Sequence, residues 1–275
     1  MQPNLFLILQ KLCLDWLAFF GIITSRYFLI CGGAHLLLYS TFINYVAKYN
    51  SYNKSSSWKT QSWKTQFWKT PSWTSIKKDM ELSLLCAVIF SLCAALVVTA
   101  YDSDSTLLYT SINQYGLWYL GASFIGLLIL QDTYFYFVHR LFHHPLLFKK
   151  FHYGHHRSKK ITPWTSFAFD PGEAFIQAIF FVGIVFILPL HYIALFAALI
   201  VMTLWAVFNH IGFELFPSSF YSRWLGKWFI GSKHHLIHHR RYKLHYGLYF
   251  TFWDRLLGTQ DPNYQNQEVG FYKIN

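Results

Sequence analysis

The chain has 275 residues, of which 54% are hydrophobic, 21% aromatic and only 13% charged. Soluble globular chains carry about 25% charged residues, so this composition, with its long apolar runs, excludes an ordinary soluble domain and points to a membrane protein. The formal net charge is +11, but the basic residues gather between apolar runs, which fits the cytoplasmic bias of positive charge and anionic lipid headgroups rather than nucleic acid.

In chain order, Leu5–Ile23 is apolar but holds Lys11 and Asp15, and reads as a segment lying in the membrane interface or packing as an amphipathic helix, in preference to a spanning one. The first span runs from Tyr27 to about Tyr45. Val46 to Lys78 contains seven lysines and no acid, which marks it as cytoplasmic. Within it, a loop over residues 51–75 carries a Trp/Lys repeat, Ser57–Thr70, whose period of five fits neither a helix nor a strand. Trp and Lys both favour the membrane–water boundary. A second span covers Glu81–Ala100, and the link bearing Asp102 and Asp104 lies on the opposite side. A third span, Leu117–Val138, returns to the cytoplasmic side at Arg140. Ala174–Leu188 and Tyr192–Phe208 are separated by Pro189. Each is short for a crossing of about 20 residues, so the pair reads as a hairpin that enters and leaves on one side. The expected fold is all-α: a multi-pass membrane helical bundle of about four spanning helices, two of them this hairpin, with a cytoplasmic histidine-rich helical cap. Cys13, Cys31, Cys86 and Cys93 lack C-x-x-C spacing and read as small buried apolar residues. The N-terminus lacks the marks of a cleaved signal peptide.

Thirteen of the fourteen histidines lie between His139 and His245. His139/His143, His152/His155/His156 and His235/His238/His239 each place imidazoles three or four residues apart, on one face of a helix. Three such patches in one chain point to a histidine-rich metal site. Structural zinc needs only four ligands, commonly including Cys, and no Cys is near. The His-Glu-x-x-His signature of membrane metalloproteases is absent. Nine or ten imidazoles suit two ions of higher coordination number, each with an open position. Iron fits this pattern, although zinc, copper and nickel also accept imidazole. Asp132, Asp170, Glu173, Glu214 and Asp254 are candidate partners for the outer ring nitrogens of ligand histidines. His35 and His191 sit in apolar runs away from the clusters, and His234 lies outside the box spacing, as a neighbour of the site or an exposed residue. His245 reads as a hydrogen-bonding residue rather than a ligand.

The segment Tyr136-Phe137-Val138-His139-Arg140-Leu141-Phe142-His143-His144, the two His-x-x-His-His boxes and the ending Tyr249-Phe250-Thr251-Phe252-Trp253-Asp254-Arg255-Leu256-Leu257-Gly258-Thr259 resemble the fatty acid hydroxylase/sterol desaturase superfamily. Thr162-Pro163-Trp164-Thr165-Ser166-Phe167-Ala168-Phe169-Asp170-Pro171 resembles its C-5 sterol desaturase branch. The resemblance covers roughly Gly116 to Gln260. It implies an integral membrane protein with two iron ions on the cytoplasmic side, using dioxygen and reducing equivalents to desaturate or hydroxylate a lipid, sterol-like by branch. Fatty acyl and carotenoid substrates stay open. Residue by residue it implies the ligands His139, His143, His152, His155, His156, His235, His238 and His239, with His144 and His210 completing the set. Residues 1–115 are then an N-terminal membrane region and 116–275 the catalytic domain. No G-x-G-x-x-G fingerprint is present, so electrons must come from a separate donor; the resemblance suggests a b-type cytochrome or a ferredoxin system. A membrane protein that binds or transports metal without oxidation, and an inactive relative, are the readings from other classes. Transport would place ionisable residues along several spans, whereas these histidines gather beyond the span ends.

Overall fold

The computed structural model describes residues 5–39, 41, 71–158, 160–212 and 226–264. The Trp/Lys repeat at 57–70 lies outside the described residues. Helix α1 (Leu5–Ala34) ends in a π-type turn, His35–Tyr39. Then come α2 (Trp73–Asp102), a short strand β1 (Leu108–Tyr109) and α3 (Gly116–Phe142). Two short helices, α4 (Pro145–Phe151) and α5 (Tyr153–His156), carry the middle histidines. A 3-10 turn at Pro163–Phe167 leads into α6 (Pro171–Ile187), β2 (Leu190–His191), α7 (Tyr192–Asn209), α8 (Ser232–Arg241) and α9 (Phe252–Leu256).

Among the described residues, four helices are long and apolar enough to cross a membrane: Leu5–Leu37, Trp73–Asp102, Gly116–Phe142 and Tyr192–Asn209. This corrects the expected start of the first span, because Leu5–Ile23 continues directly into it. No proline interrupts α1, and its charges are partnered: Lys11 pairs with Asp15 at 2.8 Å and with Asp102 at 2.6 Å. The second helix also starts earlier than expected, since the Ser72 hydroxyl caps it by accepting the Ser75 N–H.

The faces that meet inside the bundle are built from small residues. Buried positions on α2 are Ile76, Asp79, Ser83, Cys86, Ala87, Ser91, Cys93 and Ala95, and those on α7 include Ala194, Ala198, Thr203 and Ala206. Small side chains let backbones approach where lipid offers no hydrophobic drive to associate. Large apolar residues such as Leu92, Leu96, Trp118, Ile125, Phe196 and Leu204 point outward. Cys31, Cys86 and Cys93 are buried free thiols, whereas Cys13, expected inside, is exposed on the outer face of α1.

The hairpin forms as expected, except that its second half, Tyr192–Asn209, is long and apolar enough to cross a membrane, where the sequence suggests two short halves. Leu188 leaves α6 in extended conformation before Pro189, and β2 pairs in parallel with β1 through Leu108↔Leu190 and Tyr109↔His191. The turn therefore reaches the level of the α2–α3 link. His191 is structural: its Nδ1 accepts the Ile193 N–H at 3.2 Å, capping α7, and its Nε2–H donates to the Thr110 carbonyl at 2.8 Å.

At the opposite end the N-terminal helices hold the loop after the second histidine box. Asp79 of α2, 2% exposed, accepts the hydroxyls of Ser158 at 2.6 Å and Thr165 at 2.8 Å. Tyr27 of α1 donates to the Trp164 carbonyl at 3.0 Å, and the Cys86 thiol to that of Phe169 at 3.1 Å. Asp79→Ala leaves two buried hydroxyls without their acceptor and is expected to lower stability by roughly 3 kcal/mol. A thermal unfolding comparison in detergent would read this as a lower midpoint, and an unchanged midpoint would remove the assignment.

Candidate metal centre

Each histidine patch is positioned by local structure. His139 and His143 stand one turn apart at the end of α3. Pro145 opens α4, whose last residue hands over to His152, and α5 brings His155 and His156 inward. The Gly154 N–H donates to Asp170 Oδ2 at 2.7 Å, and any Cβ at Gly154 would collide with that carboxylate. His210 follows α7, and α8 supplies His235, His238 and His239.

These side chains converge into two groups, each with ligand atoms within 4.8 Å of one another: His139, His143, His152, His156 and His238 in one, and His155, His210, His235 and His239 in the other. All are buried except His143, which is half-buried. The groups adjoin, with the His156 and His239 ring centres 4.4 Å apart. In the second group four Nε2 atoms close a ring: His235–His210 2.9 Å, His210–His155 3.3 Å, His155–His239 3.1 Å and His239–His235 3.1 Å. In the first, His139–His152 and His156–His238 lie at 3.0 Å and His143–His238 at 3.1 Å.

The outer nitrogens determine what these contacts are. His139 Nδ1–H donates to the Tyr246 carbonyl, His238 Nδ1–H to that of Leu244 and His210 Nδ1–H to that of Ala206. His152 Nδ1–H donates to Glu173 Oε2 at 2.7 Å. A carbonyl only accepts, so each of these rings turns a bare Nε2 lone pair inward. The inward nitrogens of His139 and His152 face each other at 3.0 Å, a contact that a bound metal ion or a proton shared between the rings satisfies. Two nitrogens about 2.1 Å from one ion are about 3.0 Å apart at a right angle and about 3.4 Å apart in a tetrahedron. The observed spacings, 2.9–3.3 Å, lie in the range that two imidazole nitrogens on one ion span. The residues present thus fit a pair of imidazole-bound metal ions.

Nine of the ten expected ligands are brought together. The exception is His144, which is exposed and caps α4, its Nδ1 accepting the Leu146 N–H at 3.4 Å. Lying next to Pro145, it is held extended and turned away from its neighbour His143. His234 is buried rather than exposed, stacked on Tyr264 at 3.9 Å. His245 accepts the Asp261 N–H at 3.3 Å and belongs to neither group. Of the candidate acids, only Glu173 touches a ligand ring among the described residues. Asp132, a candidate for a histidine partner or an ordinary salt bridge, instead accepts three backbone N–H groups, and Glu214 lies outside the described residues. The carbonyls of Ala206, Leu244 and Tyr246 carry no sequence signal, because every residue has one.

Burial, reinforced by neighbouring imidazoles, pushes His152, His155, His156, His235, His238 and His239 well below the ordinary histidine range. Burial also takes His210 down to about 4. Above pH ~6.5 such rings are neutral in folded and unfolded chains alike. Below it the unfolded chain takes up protons that the folded cluster refuses, at a cost of about 1.4 kcal/mol per pH unit for one ring. Asp254 works the other way: burial raises its carboxyl to about 6, so it gains stability as the pH falls through that value. The rings outnumber it, so the metal-stripped protein is expected to melt at lower temperature at pH 5.5 than at pH ~7.5. A flat or rising melting temperature would contradict neutral buried rings.

The fatty acid hydroxylase family pattern matches residues 124–259. Human lathosterol oxidase is 37% identical over 145 residues, 53% of this chain and 47% of that protein. The Delta(7)-sterol 5(6)-desaturase ERG3B of Gibberella zeae is 28% identical over 184 residues, 67% of this chain and 55% of its own length. Rat lathosterol oxidase is 36% identical over 155 residues, 55% of this chain and 50% of its own. The chain thus spans about half the length of the curated relatives it matches, and no solved structure matches it. The segment that matches the fatty acid hydroxylase family, residues 124–259, thus holds the histidine groups of both His-x-x-His-His boxes.

Proposed function

We propose that this chain is a membrane-embedded di-iron oxidoreductase that removes two hydrogens from a sterol-like lipid. The observation that carries this reading is the pair of adjoining groups of buried, inward-facing imidazoles within the family segment. His139, His143, His152, His156 and His238 would hold one iron, and His155, His210, His235 and His239 the other. When bound, the irons supply the oxidising power by which dioxygen, two electrons and two protons take two hydrogens from the lipid and leave two waters. The sterol-like substrate and the desaturation are drawn from the printed names of the relatives.

The chain's own residues set orientation and dryness. Glu173 and the three carbonyls fix the tautomer and direction of four rings. Phe135 lies 5.0 Å from His139 and Phe169 5.2 Å from His155, while Phe142 stacks on Phe151 beside His152. These rings exclude water from the side chains that would face the substrate. The seven lysines between Val46 and Lys78 and the acidic link at Asp102 and Asp104 support a cytoplasmic histidine end. There Lys149, Lys150, Arg240, Arg241 and Lys243 are exposed around Tyr242, whose ring is 4.8 Å from that of His156. A basic rim of this kind favours an acidic electron carrier, a b-type cytochrome or a ferredoxin.

Hydroxylation of an acyl chain is the second reading, favoured by the family pattern that matches. A lipid mass profile of a host membrane containing sterols and varied acyl chains separates the two. We expect a sterol that loses two hydrogens with the intact protein and not with His155→Ala. A fatty acyl product heavier by one oxygen would establish the second reading, and no difference in a host shown to reduce the protein would overturn both.

A further inference from the structure

Asp132 stands in an apolar spanning helix, where an ionisable side chain is costly unless partnered. Its partners are all backbone: Oδ1 accepts the N–H groups of Leu248 at 3.1 Å, Tyr249 at 2.7 Å and Phe250 at 3.2 Å. Asp254 takes the two preceding ones, Tyr246 at 2.9 Å and Gly247 at 3.0 Å, and the Thr259 hydroxyl at 2.7 Å. The His245 N–H goes to the Thr259 carbonyl and that of Thr251 to the Trp228 carbonyl. Every amide from His245 to Thr251 therefore has a fixed acceptor, and five of the seven end on two carboxylates that are 2% and 0% exposed.

Alternate carbonyls of the same stretch serve the histidine end. Leu244 accepts from His238 Nδ1 at 2.8 Å, Tyr246 from His139 Nδ1 at 3.0 Å and Leu248 from Asn209 Nδ2 at 3.1 Å. His238 and His139 both belong to the five-histidine group. The four-histidine group has a separate support, since His210 Nδ1 is held by the Ala206 carbonyl within α7 and its turn. Gly247 is required by the close packing, because a Cβ there would collide with the Phe250 carbonyl.

We infer that Asp254 is a positioning residue for the five-histidine group alone, acting through the Tyr246–Gly247 peptide, whose N–H it accepts and whose carbonyl holds His139 Nδ1. The carboxylate holds the amide, the amide its carbonyl, and the carbonyl keeps the His139 lone pair aimed inward, while Asp132 steadies the Tyr249 N–H and with it the Leu248 carbonyl under Asn209. Selective damage follows. Asp254→Asn replaces one of two acceptor oxygens with an NH₂ group that meets an N–H, so the Tyr246 carbonyl loses its registration against His139. This inference rests on the reading of the two groups as a pair of metal sites.

The test is a cobalt(II) titration of the full-length, metal-stripped protein in detergent, followed by the absorption of the imidazole-bound ion. The parent is expected to bind two ions. Asp254→Asn is expected to bind one with the parent's affinity and the other at least ~10-fold more weakly, within the range for lost outer partners of ligand histidines. Adding His139→Gln to Asp254→Asn should weaken that site no further than His139→Gln alone, because the two act in series. Thr259→Val, which removes a hydroxyl shared by the Asp254 carboxylate and the Tyr136 hydroxyl, should shift the same site in the same direction, Tyr136→Phe should not, and the pair decides the matter if Asp254→Asn does not fold. Equal weakening of both sites, or parental affinity at both, would overturn the inference while leaving the paired-site reading intact. A parent that binds fewer than two ions would overturn the paired-site reading itself, and this inference with it.

Discussion

Imidazole nitrogens with bare lone pairs repel one another, and burial leaves no water to separate them. The fold nevertheless directs nine ring nitrogens into two adjoining knots with neighbours about 3 Å apart. That constraint orders the rest of the molecule. Rings held so close must be prevented from turning away, and at least four are secured at their far nitrogen by a carbonyl or a carboxylate. Those acceptors must in turn be immobile, which is why the loops around the site are dense with backbone hydrogen bonds to Asp132, Asp170 and Asp254.

The bundle separates two tasks along its length. At one end, Lys11 with Asp15 and Asp102, and the pairing of Leu108–Tyr109 with Leu190–His191, hold helix ends together with few groups. At the other, Asp79, Asp132, Asp170, Glu173 and Asp254 are committed to the histidines or to the loops behind them. Between these ends the helices meet through Ala, Ser, Cys and Thr and turn leucines and aromatics outward. Such an arrangement suits lipid surroundings, where packing rather than hydrophobicity joins helices.

Much of the site was legible in the sequence because its geometry is local. Imidazoles three and four residues apart share a helix face whatever the tertiary fold, so the three boxes announce themselves. His210 has no such neighbour, and only the resemblance picked it out. His144 too rests on the resemblance, and the extended backbone before Pro145 sends it outward. The start of the first span was misjudged because Lys11 has its second partner far away in sequence, at Asp102. The service of Asp132 to backbone amides was hidden for a similar reason: its partners lie more than a hundred residues downstream. Local periodicity is visible in a sequence, whereas the pairing of one carboxylate with a distant main chain is not.

The loop from Ser158 to Phe169 leans on three side chains that lie before the family segment: Tyr27, Asp79 and Cys86. Phe169 at its end rests against His155. The family segment is therefore not a cassette that could be spliced behind any pair of membrane helices. The lipid-facing positions of α1 and α2 are free to drift in composition, but a donor to Trp164, an acceptor for two hydroxyls and a thiol at Phe169 bind the two halves of the chain to a common inheritance.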